Sequence, residues 1–208
     1  MSKPEGLRSQ KKAETRQAIS NIATRLFVER GFENVSVDEV AREAGVARKT
    51  VFNYFLRKEE LFFDREEEVR SLVRAAVADR GEQSPVHAFE ALMRTLVKTG
   101  HPVFLMSARP IQFWRTVADS PALTTYAREL QVTLANDLAQ MLSDAVERPP
   151  TDPGARLAAG MLMSTLVVAY GDALRAFREQ GDPVEAFASV MERGFLGVDA
   201  ALADTPYV

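Results

Sequence analysis

A chain of 208 residues, 46% hydrophobic and 26% charged, is long enough to bury one or two cores without staples. It contains no cysteine, which excludes disulfides and thiolate metal sites and suits a cytosolic protein. The net charge of −3 divides unevenly: residues 1–60 hold 12 basic and 9 acidic side chains, and the remainder holds 14 and 20. A basic head on an acidic body suits an anionic partner, because attraction to phosphate is local and screened beyond about 10 Å. No run of 18 apolar residues occurs, so no membrane-spanning helix is expected, and the polar start Met1-Ser2-Lys3-Pro4 does not read as a secretory signal.

Helical periodicity runs almost from end to end, and no stretch alternates like a strand for long. A first helix over about 10–30 carries Ala18, Ile19, Ile22, Ala23, Leu26 and Phe27 on one face and stops at Gly31. Ser36 with Glu39 forms a capping box for a second helix, whose inner face is Val40, Ala41 and Ala44. Gly45 turns the chain, and a third helix buries Val51, Phe52 and Phe55. One long helix is expected from Lys58 to about Arg80, and another over about 84–99. Residues 103–120, bracketed by Pro102, Pro110 and Pro121, read as broken, and helices over about 121–147, 153–180 and 183–203 follow.

Residues 36–55 carry the chemistry. Two short helices broken at a glycine, the second with outward polar groups, describe a helix-turn-helix whose second helix enters the major groove. Arg48 and Lys49 stand at the start of that helix, where free backbone N–H groups favour phosphate. Arginine also pairs with a guanine edge and Asn53 with an adenine edge. Thr50, Tyr54 and Ser36 offer hydroxyls at phosphate-contact positions, with Val37 beside Ser36 and Lys58 opening the next helix. Arg8, Lys11, Lys12 and Arg16 form a basic arm able to follow the backbone.

From Thr15 to Leu61 the order Leu26-Phe27, Gly31-Phe32, Val35-Ser36-Val37, Val40-Ala41, Ala44-Gly45-Val46, Thr50-Val51-Phe52-Asn53-Tyr54-Phe55 and Lys58-Glu59-Glu60-Leu61 closely resembles the N-terminal domain of TetR-family (tetracycline-repressor-type) regulators. Ala47 departs from the serine or threonine common there, and Leu56 from a proline or polar residue. The resemblance implies an all-α protein with a three-helix helix-turn-helix DNA-binding domain at 1–57 (arm 1–9) and a helical ligand-binding and dimerisation domain at 58–208. It further implies a homodimer on a palindromic double-stranded operator, joined through helices about 153–180 and 183–203, and a small-molecule effector that controls DNA binding. The reading is thus of a cytoplasmic, nucleoid-associated repressor. The other classes compatible with the residues are an architectural DNA-binding protein without a ligand and a small-molecule adaptor with an idle helix-turn-helix.

The body names no ligand. Small residues along the last two helices, among them Ala158, Gly160, Gly171, Gly194 and Gly197, allow close helix approach, within or between subunits. Met93, Phe104, Met106, Phe113, Trp114, Tyr126, Met163 and Tyr170 are pocket candidates by residue type and equally candidates for core. Trp114 between Arg109 and Arg115 hints at an anionic or amphipathic ligand. No nucleophile elbow, phosphate loop or dinucleotide fingerprint occurs, so neither an enzyme nor a cofactor is expected. His87 and His101 lie too far apart for one helical face and have no cysteine partners, so no metal site is expected either.

Overall fold

The computed structural model describes the backbone of residues 4–101 and 108–208, and the side chains of residues 10–101 and 112–208. Among the described residues the secondary structure is helical, without strands. The chain divides into two compact units, Met1–Glu66 with Thr116–Tyr126, and Glu67–Arg115 with Ala127–Val208.

In the first unit α1 (Pro4–Arg30) ends at Gly31, whose φ of +86° is the left-handed conformation that suits glycine. α2 (Val37–Glu43) and α3 (Arg48–Phe52) then close over it. Ile19, Leu26, Phe27, Phe32, Val40, Val51, Phe55 and Leu61 form the core of this small head, all nearly without solvent contact. Ser20 is buried with them because its hydroxyl donates to the Leu61 carbonyl at 3.1 Å. Residues 116–126, the corner between α6 (Ala108–Asp119) and α7 (Pro121–Ala145), belong to the same unit. There Ser120 caps α7, accepting from the Leu123 N–H and donating to Glu33 at 2.7 Å, and Leu123 is fully buried.

The expected long helix from Lys58 is interrupted. Lys58–Leu61 is a single 3₁₀ turn and α4 begins only at Glu66 (Glu66–Ala78), because Phe62 is drawn into the head core and Asp64 is held by Gln17 at 2.8 Å and Arg16 at 3.0 Å. The stretch read as broken contains α6, which tolerates Pro110 in its first turn, where an N–H has no intrahelical partner.

The second unit packs α4, α5 (Pro85–Lys98), α8 (Pro153–Arg178) and α9 (Pro183–Ala201) around Phe89, Met93, Leu142, Leu162, Phe187 and Phe195. Arg70 pairs with Asp137 of α7 at 2.6 Å and with Glu67 of its own helix at 3.7 Å. α8 is two-faced. Ala155, Ala158, Ala159, Leu162, Leu166, Ala169 and Ala173 are buried, while Leu157, Val167 and Val168 on the opposite face are exposed. Apolar on both sides, it is long and apolar enough to cross a membrane by length and hydropathy, yet its buried face is filled by its own unit.

Candidate nucleic-acid interface

The two helices of the motif are held by local chemistry. The Ser36 hydroxyl accepts from the Glu39 N–H at 3.2 Å, and the Glu39 carboxylate accepts the Ser36 N–H at 2.8 Å, a complete capping box. Those bonds from Ser36 hold the Glu39 carboxyl below its ordinary range. At the other end Gly45 has φ +64°, its N–H bonds to the Arg42 carbonyl, and the Val46 N–H reaches back to the Ala41 carbonyl at 3.0 Å. That is the Schellman closure, and it fixes the angle at which α3 leaves α2. α3 is only five residues long and Ala47 gives it no side-chain cap.

The structure sorts the predicted contacts. Arg48 and Lys49 are exposed on α3, Asn53 is the exposed C-cap, and Thr50 and Tyr54 are half-buried beside it. Val37 opens α2, half-buried, next to the exposed Ser36. Phe52, expected inside, is 39% exposed, and the Arg48 guanidinium lies over its ring at 5.4 Å. Arg48 also pairs with Asp38 at 3.1 Å. Both partners are exposed, so the pair is worth about 0–1 kcal/mol and yields easily to a base or phosphate. Of the basic arm, Lys11 and Lys12 are exposed, while Arg16 is turned onto the Phe55 ring and the Asp64 carbonyl.

Lys58 departs from its expected role. Its ammonium donates to the Phe32 carbonyl and lies over the rings of Phe32 at 4.1 Å and Phe27 at 5.4 Å. Desolvation accordingly pulls its pKa below the usual lysine range. Lys58→Ala is therefore expected to lower head stability by about 1–2 kcal/mol, read as a lower unfolding midpoint. The salt dependence of DNA binding by the folded protein should stay unchanged; a slope reduced by about one unit would return Lys58 to a phosphate.

The pocket candidates do not converge on one site. Met93 is buried core, and Tyr126 stacks on Phe63 at 5.4 Å with Arg57 over its ring, inside the first unit. Phe104 and Met106 lie outside the described residues. Phe113, Trp114 and Tyr170 form a chain of ring contacts at 5.4 and 4.5 Å that continues to Phe187, with Met163 half-buried on α8. Burial holds the Tyr170 phenol far above its ordinary range, so it is a neutral hydrogen-bonding group. A shallow concavity lies elsewhere, lined by Ala135, Asn136, Ala139, Pro153, Arg156 and Leu157.

Residues 19–64 match the sequence profile of bacterial regulatory proteins of the tetR family. UidR of Escherichia coli K12, an HTH-type transcriptional regulator, is 22% identical over 141 residues, covering 67% of this chain and 70% of UidR. Over the head alone, identity to a regulator from Mycobacterium tuberculosis reaches 46% across 48 residues, about a quarter of that protein's length (24%). Among solved structures, NalD of Pseudomonas aeruginosa, the secondary repressor of a multidrug efflux pump, superposes with a TM-score of 0.55 at 20% identity, covering 90% of this chain and 97% of NalD. The SmeT–triclosan complex does so with 0.58 at 18% identity, covering 94% and 95%. With its capped helices, glycine turn and exposed recognition residues in this order, the head of this chain is a DNA-binding domain of the TetR regulatory family.

Proposed function

We propose that two copies of this chain bind a palindromic operator and repress transcription until a small molecule occupies the body. The observation that carries the reading is α3, which presents Arg48, Lys49 and Asn53 to solvent from a turn fixed at both ends. Arg48 and Asn53 are assigned to base edges, with Lys49, Thr50, Tyr54 and Ser36 on phosphates and Val37 beside them. Repression and a small-molecule effector are supported by what the two solved structures are named for: NalD as a repressor, and SmeT as a complex with triclosan. The effector is assigned to the flank of the Phe113–Trp114–Tyr170 chain, a run of aromatic rings that includes one buried phenol. Acting on chromosomal DNA, such a protein works in the cytoplasm, at the nucleoid.

Dimerisation is assigned to α8 and α9. Leu157, Gly160, Ser164, Val167, Val168 and Gly171 recur at three- and four-residue spacing along the exposed face of α8, without a charge among them. A Cβ built on Gly160 or Gly171 meets nothing, so the gaps lie open to a partner helix. Leu196 of α9, 69% exposed, extends the apolar surface. A second copy is the partner that the family resemblance implies.

The test is selection of bound DNA from a random duplex library by the full chain. A palindromic consensus is expected, and Arg48→Ala should weaken binding to it by about 1–3 kcal/mol while relaxing choice at one base pair per half-site. An equal loss on every sequence would make Arg48 a phosphate contact. No enrichment at all would leave the adaptor reading in front.

A further inference from the structure

His87 and Glu90 stand one turn apart on α5, and α9 brings Asp199 to them from 112 positions beyond His87. His87 Nε2 lies 3.0 Å from Asp199 Oδ1, and a carboxylate oxygen of Glu90 lies within 4.8 Å of both ligand atoms. Glu90 is only 4% exposed, and its Oε1 is buried without a hydrogen bond. The other oxygen, Oε2, faces Arg94 Nη1 at 3.4 Å, and Arg94 is itself held by both oxygens of Glu192 at 2.8 and 2.9 Å. A buried carboxylate oxygen with no donor costs free energy comparable to a lost hydrogen bond or more, a cost that a bound cation would offset.

We propose that His87, Glu90 and Asp199 form a site for a divalent first-row metal ion of the zinc class, clipping α5 to α9. Three considerations select a cation. Two carboxylates carry the charge that a divalent ion neutralises, while Arg94 and Glu192 pair beside them. Bond lengths of about 2.0–2.2 Å to nitrogen and oxygen place neighbouring ligands roughly 3 Å apart, the separation His87 and Asp199 already have. The donor set of one nitrogen and two oxygens, without thiolate, suits zinc, nickel or manganese. His87 is exposed, so an ion has a path in and water completes its shell. Nε2 is the ligating atom, which leaves the proton on Nδ1.

The experiment is calorimetric titration of chelator-treated full-length protein with zinc sulfate, with cobalt chloride as an absorption probe and thermal unfolding as a third readout. One ion per chain is expected, together with cobalt ligand-field bands and a raised unfolding midpoint. His87→Asn, Asp199→Asn and Glu90→Gln should each weaken uptake by at least about tenfold, as loss of a direct ligand exceeds that of an outer-shell partner. Glu90→Gln should leave the metal-free protein no less stable, since it removes a buried charge that Arg94, shared with Glu192, only partly offsets. No saturable uptake, or uptake unchanged in all three variants, overturns the site.

Discussion

Val168→Glu is expected to split the dimer and to reduce operator affinity by about 10²–10⁴-fold, the advantage that linking two binding heads confers. Val168 lies on the exposed face of α8, so a carboxylate there costs the isolated subunit little, within about 0.5 kcal/mol for a surface change. Across a two-fold axis the substitution is made twice, so two carboxylates enter the apolar contact together. Sedimentation equilibrium reads the mass and a fluorescence titration reads the operator affinity. Val132→Glu, on an exposed position of α7, is the control that should change neither. A Val168→Glu protein that remains dimeric would remove α8 from the interface.

The head was legible because its signals are local. Ser36 and Glu39 are three residues apart and cap each other; Gly45 is the residue a left-handed turn favours; Val51 and Phe55 are an i,i+4 pair on one face. Where the reading departed from the structure, a contact outside the helical pattern had intervened. Phe52 has the apolar character of a core residue, but α3 ends at it and Arg48 covers its ring. Helical periodicity continues through residues 58–66, yet Phe62 and Asp64 are claimed by α1 and the helix cannot form through them. Lys58 looks like a phosphate ligand by type, and only the carbonyl of Phe32, 26 positions earlier, turns it inward.

The body shows the converse. Apart from α6 and the start of α4, the helix spans were readable from proline and glycine punctuation, and α8 and α9 end at Arg178 and Ala201, within two residues of expectation. Which small residue faces where was not readable. Tyr126 has the composition of a pocket residue and belongs to the head unit, because the α6–α7 corner packs there. His87 was paired in sequence with His101, its only like; its partners in space are a carboxylate three residues on and another on α9. No one-dimensional pattern carries a contact of that range.

Gly194 separates the two roles that small residues play in this body, and its replacement should be among the most damaging single changes. A Cβ at Gly194 would fall 2.2 Å from Thr165 Cγ2, 2.4 Å from its Oγ1 and 2.8 Å from its Cβ. Rotating the threonine cannot relieve the last of these, so the helices themselves must part. Gly194→Ala is expected to cost about 1–3 kcal/mol, as overpacking does, and Gly194→Val more. Urea denaturation should show the lower midpoint in the body's transition. Thr165→Gly removes every atom named in the clash, at only about 0.3 kcal/mol of helix propensity relative to threonine. If the clash is the cause, the double mutant Gly194→Ala with Thr165→Gly should recover part of the loss, a coupling of roughly 0.5–3 kcal/mol between neighbours. Gly160 and Gly171, with open space where a Cβ would stand, should tolerate alanine in the isolated subunit and reveal its cost only in the dimer. Additive losses at 194 and 165 would mean instead that the backbone of α9, rather than its approach to α8, requires the glycine.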